Sequence, residues 1–249
     1  MYSVTGLCEE SNTDKATEQG AGLIEVTADQ YAPYVSSGSP HNGVLAELMT
    51  QALSTVGYRL KVNFQNWNRA YKMAEDGNVD GILGIWYTQA RAEVLVYSQP
   101  LLPSEIRFIH FKSLEFHFGS LKDLEPYRVG HVLGYAYPTS FSQGHLNRVH
   151  VYDVAELIKL LANHRLDIVL MDKVVALQQM KNNYPALISE MNFQDPPFAT
   201  NHLYLALSKK RPGMEVKLQA INQGLDNIRS NGEFERILRD HGLGALGAP

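Results

Sequence analysis

Cysteine is almost absent from this chain of 249 residues, which contains a single one, Cys8. One cysteine excludes an internal disulfide framework and a cysteine-rich metal site. No apolar run approaches the ~18–20 residues that a membrane-spanning helix requires. Basic residues do not exceed acidic ones, 22 against 26, and they form no stripe along the sequence. This balance argues against nucleic acid as a partner.

The N-terminal segment lacks the basic start, apolar middle and small-residue cleavage site of a secretory signal. Two interpretations stay open: a cytoplasmic protein, or a periplasmic or otherwise extracytoplasmic one whose signal peptide was removed and replaced by Met1. Residues 1–22 are expected to form a flexible leader, because most of them are polar, small and aperiodic. Cys8 is interpreted as an incidental thiol rather than a lipid anchor, because the preceding Leu7 is bulky.

Signatures of catalysis are also missing from the sequence. It contains neither a glycine-rich phosphate loop nor a nucleophile elbow. Nine histidines are present, but His110, His131, His145, His150 and His164 do not have the spacing of metal ligands. We therefore expect no catalytic residue, no metal and no cofactor.

Predicted strands and helices alternate in two successive units. The first unit has strands at 23–27, 58–64 and 79–85, with helices at 44–56 and 67–74 between them. This order predicts a largely parallel, doubly wound sheet. The second unit has strands at 107–111, 128–132 and 167–171 and helices at 138–143, 154–162 and 173–182. A strand at 203–208 and helices at 215–230 and 233–240 complete the chain.

An internal repeat relates the two units. The segments Met73–Leu83 and Leu160–Leu170 share the order helix end, turn, aspartate and strand. Two such units, joined by extended segments, would leave a cleft between them. Ligands in open α/β sheets bind beyond the carboxyl ends of strands. The residues that follow Leu83 and Leu170 are therefore the first candidates for a binding site.

Arg91 follows the first of these strands. Thr88 is a suitable helix N-cap, which places Arg91 in the first helical turn. A cation there opposes the helix dipole, at a cost of ~0.3–1 kcal/mol. The placement is explained if Arg91 faces a ligand carboxylate, which a guanidinium binds with two parallel hydrogen bonds. The alternative is a solvated arginine paired with Glu93 or another surface acid.

Asp172 follows the second strand. A carboxylate after four apolar residues needs a partner, and a ligand ammonium would supply one. The alternative is an N-cap for the helix that begins at Lys173, and the two roles are compatible. Arg91 and Asp172 together predict a site for a zwitterion. Four aromatic residues are candidates for its apolar walls, unless they belong to the core: Tyr31, Trp67, Trp86 and Tyr135.

Several short motifs follow one another along the chain. They are Tyr31-Ala32-Pro33-Tyr34, Gly77-Asn78-Val79-Asp80-Gly81, Thr88-Gln89-Ala90-Arg91 with Ser98-Gln99-Pro100, Val129-Gly130 through Gly134, Asp167 to Asp172, and Asn231-Gly232-Glu233-Phe234. In this order they resemble the family 3 extracytoplasmic solute-binding proteins of ABC importers, the polar amino-acid-binding type. The resemblance covers nearly everything from Leu23 to Leu243.

The resemblance implies a two-lobed α/β fold of the periplasmic-binding-protein type. Each lobe is expected to be a doubly wound mixed sheet with helices on both faces, and two hinge strands are expected to join the lobes. Lobe 1 is expected to comprise residues 23–108 and 203–249, and lobe 2 residues 109–200.

The resemblance also implies a function and a role for each site residue. The chain is expected to be a monomer that captures a small polar ligand, an amino acid or a related carboxylate, for the membrane permease of an ABC importer. Arg91 would bind the ligand carboxylate and Asp172 its ammonium, while Tyr31 and Trp67 enclose the side chain. Backbone groups are expected from Gly84, Trp86 and the Gly134 turn.

The sequence departs from the family pattern in two places. Tyr135 stands where the family usually has a small hydroxyl residue, and Ile85-Trp86-Tyr87 replaces small polar residues. A bulkier, more aromatic pocket is therefore expected. Two alternatives to an importer component stay open: a ligand-sensing module of a membrane receptor, and a dehydratase-like enzyme on the same fold.

Overall fold

A computed structural model describes residues 22–246 of the chain. Cys8 and residues 1–21 of the predicted leader lie outside the described residues. Gly22, which was predicted to belong to the leader, instead begins the first strand and pairs with Tyr58. The leader prediction is therefore wrong at this residue.

The described part of the chain contains ten strands and eight α-helices. The strands are β1 (Gly22–Ala28), β2 (Tyr58–Phe64), β3 (Gly81–Trp86), β4 (Leu95–Tyr97), β5 (Leu102–Phe111), β6 (Arg128–Val132), β7 (Asn147–Val151), β8 (Ile168–Asp172), β9 (Met191–Phe193) and β10 (Ala199–Ser208). The helices are α1 (Val44–Ser54), α2 (Trp67–Glu75), α3 (Gln89–Ala92), α4 (Thr139–Gln143), α5 (Val154–Ala162), α6 (Lys173–Asn183), α7 (Met214–Ser230) and α8 (Glu233–Asp240).

The strands form one mixed sheet in the order β2-β1-β3-β10-β5-β8-β6-β7, with β4 paired to β10 and β9 to β5. β1 lies parallel to β2 and β3, and β6 lies parallel to β7 and β8. These two parallel groups correspond to the two units predicted from the sequence. The mixed α/β fold is thus confirmed.

The long strands β5 and β10 connect the two parallel groups. β10 pairs with β3 through Leu203–Leu207 and with β5 through Ala199–Leu203. β5 continues past that pairing, and its residues Ile106–His110 pair with β8. All three pairings are antiparallel, so the two groups are joined by adjacent, oppositely directed strands.

Both connecting strands begin earlier than the sequence predicts. The segment Ala199–His202 is polar or small and carries no strand pattern of its own, but it pairs with Pro103–Ile106. The short strands β4, β7 and β9 were not predicted either. β4 and β9 have three residues each, which is too few to establish a period, and tertiary pairing determines their structure.

Helix α1 follows the predicted periodicity because it buries one apolar face. Leu45, Leu48 and Met49 of α1 are fully buried. Helix α7 packs closely against α1 at Gly224, where a Cβ atom would collide with the carbonyl oxygen of Ala52. Glycine is therefore required at this position for the two helices to approach.

Asp80 ties β1 and β3 to the segment that follows β10. Its side chain is 3% exposed and forms ion pairs with Lys217 at 2.7 Å and Arg211 at 3.1 Å. It also accepts a hydrogen bond from the backbone N–H of Glu25 at 2.9 Å. Burial opposes its ionisation, but these donors outweigh burial and lower the pKa of Asp80 below its ordinary value.

Candidate functional site

A small cavity lies beside the carboxyl ends of β1 and β3, and the centre of a water-sized sphere can occupy about 20 Å³ of it. This space holds about one water molecule, so it is much smaller than the ~300–1,000 Å³ that is common for small-molecule sites. Nine residues line it: Asp29, Tyr31, Val35, Trp67, Leu83, Gly84, Trp86, Arg91 and Tyr135. Six of the eight residues predicted for the site are therefore brought together here, and two, Asp172 and Gly134, are not among the lining residues.

Arg91 is buried in the wall of the cavity, with 9% of its surface exposed. Its backbone N–H donates to Thr88 Oγ1, as the predicted cap requires. Nη1 donates to the carbonyl oxygen of Trp86 at 3.0 Å, and Nη2 donates to that of Gly134 at 3.1 Å. These bonds use two of the five N–H groups of the guanidinium.

The guanidinium of Arg91 is supported by aromatic rings instead of an acid. It lies 4.7 Å from the ring centroid of Trp67 and 5.6 Å from that of Tyr71. Within residues 22–246 it forms no ion pair, with Glu93 or with any other carboxylate. Burial lowers its pKa, but an arginine remains charged in proteins. The cavity thus contains a positive charge that an anionic ligand would neutralise.

Tyr71 was not predicted as a site residue. It follows Trp67 by four positions on α2, which places both rings on one face of the helix. The rings are stacked with centroids 6.2 Å apart. Two aromatic residues four positions apart on a predicted helix are therefore the sequence feature that could have identified Tyr71.

Two buried donors of the lining residues lack a partner within the described part of the chain. They are the hydroxyl of Tyr31 and Nε1 of Trp86, and each residue is only 5% exposed. Buried polar groups are normally hydrogen-bonded. A ligand with acceptor oxygens would satisfy both donors as well as Arg91.

Asp29 is the only acidic residue that lines this cavity, and it was not predicted from the sequence. Its Oδ1 accepts from the backbone N–H of Gln30 at 2.7 Å, and its Oδ2 accepts from the hydroxyl of Tyr135 at 3.0 Å. Burial raises the pKa of Asp29 to about 6 against the opposing effect of these bonds. Asp29 directly follows β1, so the strand-end rule that selected Arg91 and Asp172 would have found it if applied to the first strand.

Asp172 has the capping role that was its alternative interpretation. Its Oδ1 accepts from the backbone N–H of Val175 at 2.9 Å, at the start of α6. Its Oδ2 accepts from Ser104 Oγ at 2.6 Å and from the hydroxyl of Tyr34 at 3.4 Å. The ring of Tyr34 stacks on Tyr31, with centroids 5.8 Å apart. Asp172 is therefore linked to the cavity by Tyr34, whose ring stacks on the lining residue Tyr31. Its ammonium-binding role stays a prediction.

The carbonyl group of Gly134 contacts two residues that line the cavity. Its oxygen accepts hydrogen bonds from Trp67 Nε1 at 2.9 Å and from Arg91. A Cβ atom here would lie 2.8 Å from Asn68 Oδ1 and 3.0 Å from Trp67 Cδ1, and φ is +84°. Both the positive φ and the close approach require glycine. The predicted contribution of N–H groups from this turn stays a prediction.

Asp172 is expected to stabilise the folded state more at low pH than at high pH, whereas most acids do the reverse. Burial raises its pKa from 3.8 to about 6, despite the bonds from Ser104 and Val175. The folded state then binds this proton more tightly than the unfolded state does. The resulting stabilisation is complete below about pH 4 and is lost as the pH rises through about 6. We expect Asp172→Asn to remove this loss, which has a slope of at most ~1.4 kcal/mol per pH unit.

Urea unfolding at several pH values would measure this effect as the difference between variant and wild type. Asp123→Asn is the matched control, because backbone hydrogen bonds from Gly119 and Ser120 lower the pKa of that exposed carboxyl. The control should shift the pH dependence in the opposite direction. Parallel curves for wild type and Asp172→Asn would contradict the prediction.

Residues 22–246 contain no group of three or more His, Cys, Asp or Glu side chains arranged to hold a metal ion. The helices of the same segment are too short or too polar to cross a membrane.

Comparison with known proteins identifies similar chains. The family described as bacterial extracellular solute-binding proteins, family 3, matches residues 23–244. A probable histidine-binding protein of Neisseria gonorrhoeae is 28% identical over 217 residues, which cover 84% of this chain and 78% of that protein.

Two solved structures share the fold at low sequence identity. A histidine kinase sensor domain with similarity to periplasmic binding proteins superposes with a TM-score of 0.77 at 19% identity, covering 89% of this chain and 96% of that one. An amino acid ABC transporter substrate-binding protein from Streptococcus pneumoniae, bound to L-arginine, has a TM-score of 0.74 at 19% identity. The match covers 91% of this chain and 97% of that one.

Proposed function

Because the chain belongs to family 3 of the bacterial extracellular solute-binding proteins, we propose that it captures an amino acid or related carboxylate outside the cytoplasm for an ABC importer. The observation that carries this proposal is the buried guanidinium of Arg91, which lines the cavity without an acidic partner among residues 22–246. The carboxylate of the ligand would be that partner. The unpartnered donors of Tyr31 and Trp86 supply further hydrogen bonds to it.

The lobes in this proposal are residues 23–108 with 203–249, and residues 109–200. Strands β5 and β10 form the hinge, which is supported by their pairing with both parallel groups. The cavity then has walls from both lobes, since Asp29, Trp67 and Arg91 belong to one and Tyr135 to the other. A ligand that contacts both walls favours the closed arrangement by its higher affinity for it. The closed monomer delivers the ligand to the membrane permease.

An amino-acid ligand is favoured by the relatives of the chain. One is a probable histidine-binding protein, and a structural neighbour binds L-arginine. The likeness to a histidine kinase sensor domain favours a second candidate, a ligand-sensing module of a membrane receptor. A permease gene beside the gene for this chain supports import, and a receptor kinase gene there supports sensing.

A thermal-shift screen tests the proposed function. A ligand that binds only the folded state stabilises it by about 2.7 kcal/mol when present at about 100 times its Kd. We expect one or more amino acids or small carboxylates to raise the melting temperature, and neutral sugars to leave it unchanged. Mass spectrometry after prolonged incubation should recover the ligand unchanged. A response to sugars alone, or turnover of the ligand, would overturn the proposal.

The acid that binds the ligand ammonium is expected to be Asp29, because it lines the cavity and Asp172 does not. Two of the roughly four acceptor positions of its carboxylate are occupied, which leaves room for an ammonium. We expect Asp29→Asn to weaken the binding of an amino acid by about 10-fold or more relative to the binding of its analogue without the amine. The reason is that hydrogen bonds to charged groups are worth ~1.5–3 kcal/mol.

L-Alanine and propionate form such a pair, and calorimetry gives both affinities. Asp172→Asn is the matched variant and should change the two affinities by the same factor. An amine-specific loss in Asp172→Asn, with none in Asp29→Asn, would instead support the role that the resemblance assigned to Asp172.

A further inference from the structure

Tyr135 stands at the centre of the aromatic lining of the cavity. It follows β6, yet three of its aromatic neighbours come from segments near β1, α2 and β3. The ring centroids of Tyr31, Trp67 and Trp86 lie 5.7, 5.5 and 5.6 Å from that of Tyr135, all in edge-to-face arrangements. Tyr135 thus occupies the space that these three rings surround.

The position of this ring is fixed at both ends. The hydroxyl of Tyr135 donates to Asp29 Oδ2 at 3.0 Å, and burial raises its pKa well above the ordinary value, so the proton is retained. The backbone of the preceding Gly134 accepts hydrogen bonds from Trp67 and Arg91. These contacts fix the ring in the cavity lining.

The ring also lies beside the group that would hold the ligand carboxylate. Arg91 and Tyr135 line the same cavity, and Trp67 contacts both of them, under the guanidinium and against the tyrosine ring. If the carboxylate of a ligand binds Arg91, the side chain of that ligand therefore extends into the part of the cavity that the ring of Tyr135 partly fills.

We propose that Tyr135 is the specificity-determining residue of this cavity: its ring takes the place of a large ligand side chain and restricts binding to ligands with short side chains. This inference rests on the proposed function and names the size class of its ligands. The hydrogen bond to Asp29 positions the ring but does not set the size limit.

Calorimetric titration of the wild type and two variants tests the inference. The probes are L-alanine and L-serine as short ligands, and L-histidine and L-phenylalanine as long ones. We expect the wild type to bind a short ligand at least about 10-fold more tightly than either long one, a ratio that steric restriction in a pocket can supply. Tyr135→Ser should strengthen binding of a long ligand by about 10-fold or more. Tyr135→Phe retains the ring and should keep the wild-type preference.

The melting temperature without ligand shows whether each variant is folded, and Tyr135→Val replaces the serine variant if that one is not. Equal affinity of the wild type for long and short ligands would overturn this inference and leave the proposed function intact. An equal change for all four ligands in Tyr135→Ser would also overturn it, because the ring would then act on closure and not on size. If neither the wild type nor any variant bound any of the four, this inference would fail, and amino-acid capture would fail with it if the thermal-shift screen also found no amino acid or carboxylate ligand.

Discussion

Replacing Arg91 with alanine is expected to raise the Kd for a carboxylate ligand by about 30-fold or more, because losing one partner of a buried charge pair costs ~2–5 kcal/mol. The guanidinium is the one cationic group of the cavity lining. Without it, the ligand carboxylate would be buried against the aromatic rings of Trp67 and Trp86 with only neutral donors. Calorimetry or a thermal shift with the best ligand measures the loss.

Two further variants separate the charge from the geometry of Arg91. Arg91→Lys keeps a positive charge but cannot form two parallel hydrogen bonds, so its affinity should lie between those of wild type and Arg91→Ala. Arg59 lies exposed on β2, outside the cavity, and Arg59→Ala is the control for a general change of charge. Unchanged affinity in Arg91→Ala would remove this residue from the site and take away the main support for the proposed function.

Replacing Asp80 with alanine is expected to lower the free energy of unfolding by about 3 kcal/mol, at the lower end of the range for breaking a buried ion pair. The substitution would leave Lys217 and Arg211 without their carboxylate and the N–H of Glu25 without its acceptor. The side chains of Lys217 and Arg211 are 21% and 37% exposed. Water can therefore replace part of the lost interaction, which sets the estimate at the lower end.

Urea unfolding measures this change, and Asp76→Ala is the matched control. Asp76 precedes the same turn and forms ion pairs with Lys72 and Lys210, but these are exposed, and exposed pairs contribute little to stability. Ligand affinity should be unchanged in both variants, since neither residue lines the cavity. Equal stabilities of Asp80→Ala and Asp76→Ala would show that the buried network around Asp80 does not stabilise the fold.

The sequence predicted the elements whose structure is determined locally. Helix α5 and strands β2 and β6 have the predicted bounds, since their apolar residues recur at the period of the element. The caps at Thr88 and Asp172 were also predictable, because an N-cap depends on a side chain and the backbone three residues later.

The contacts that complete the site are not local. Tyr135 and Asp29 are 106 positions apart and meet in one hydrogen bond. Nothing near Tyr135 in the sequence indicates that its ring points toward β1. The strand-end rule placed Arg91 in the cavity, but it gave equal weight to Asp172, whose carboxylate is engaged by Ser104, Tyr34 and Val175. Only the three-dimensional arrangement distinguishes an acid that lines a cavity from one that lies behind it.

The chain contains two tryptophans, and both Trp67 and Trp86 line the cavity. All of its indole fluorescence therefore originates at this cavity, with no background from tryptophan elsewhere. One indole lies against a guanidinium and the other has a free N–H, so their emission is sensitive to whatever enters. Ligand titrations can accordingly be followed by intrinsic emission, without a label or an engineered reporter.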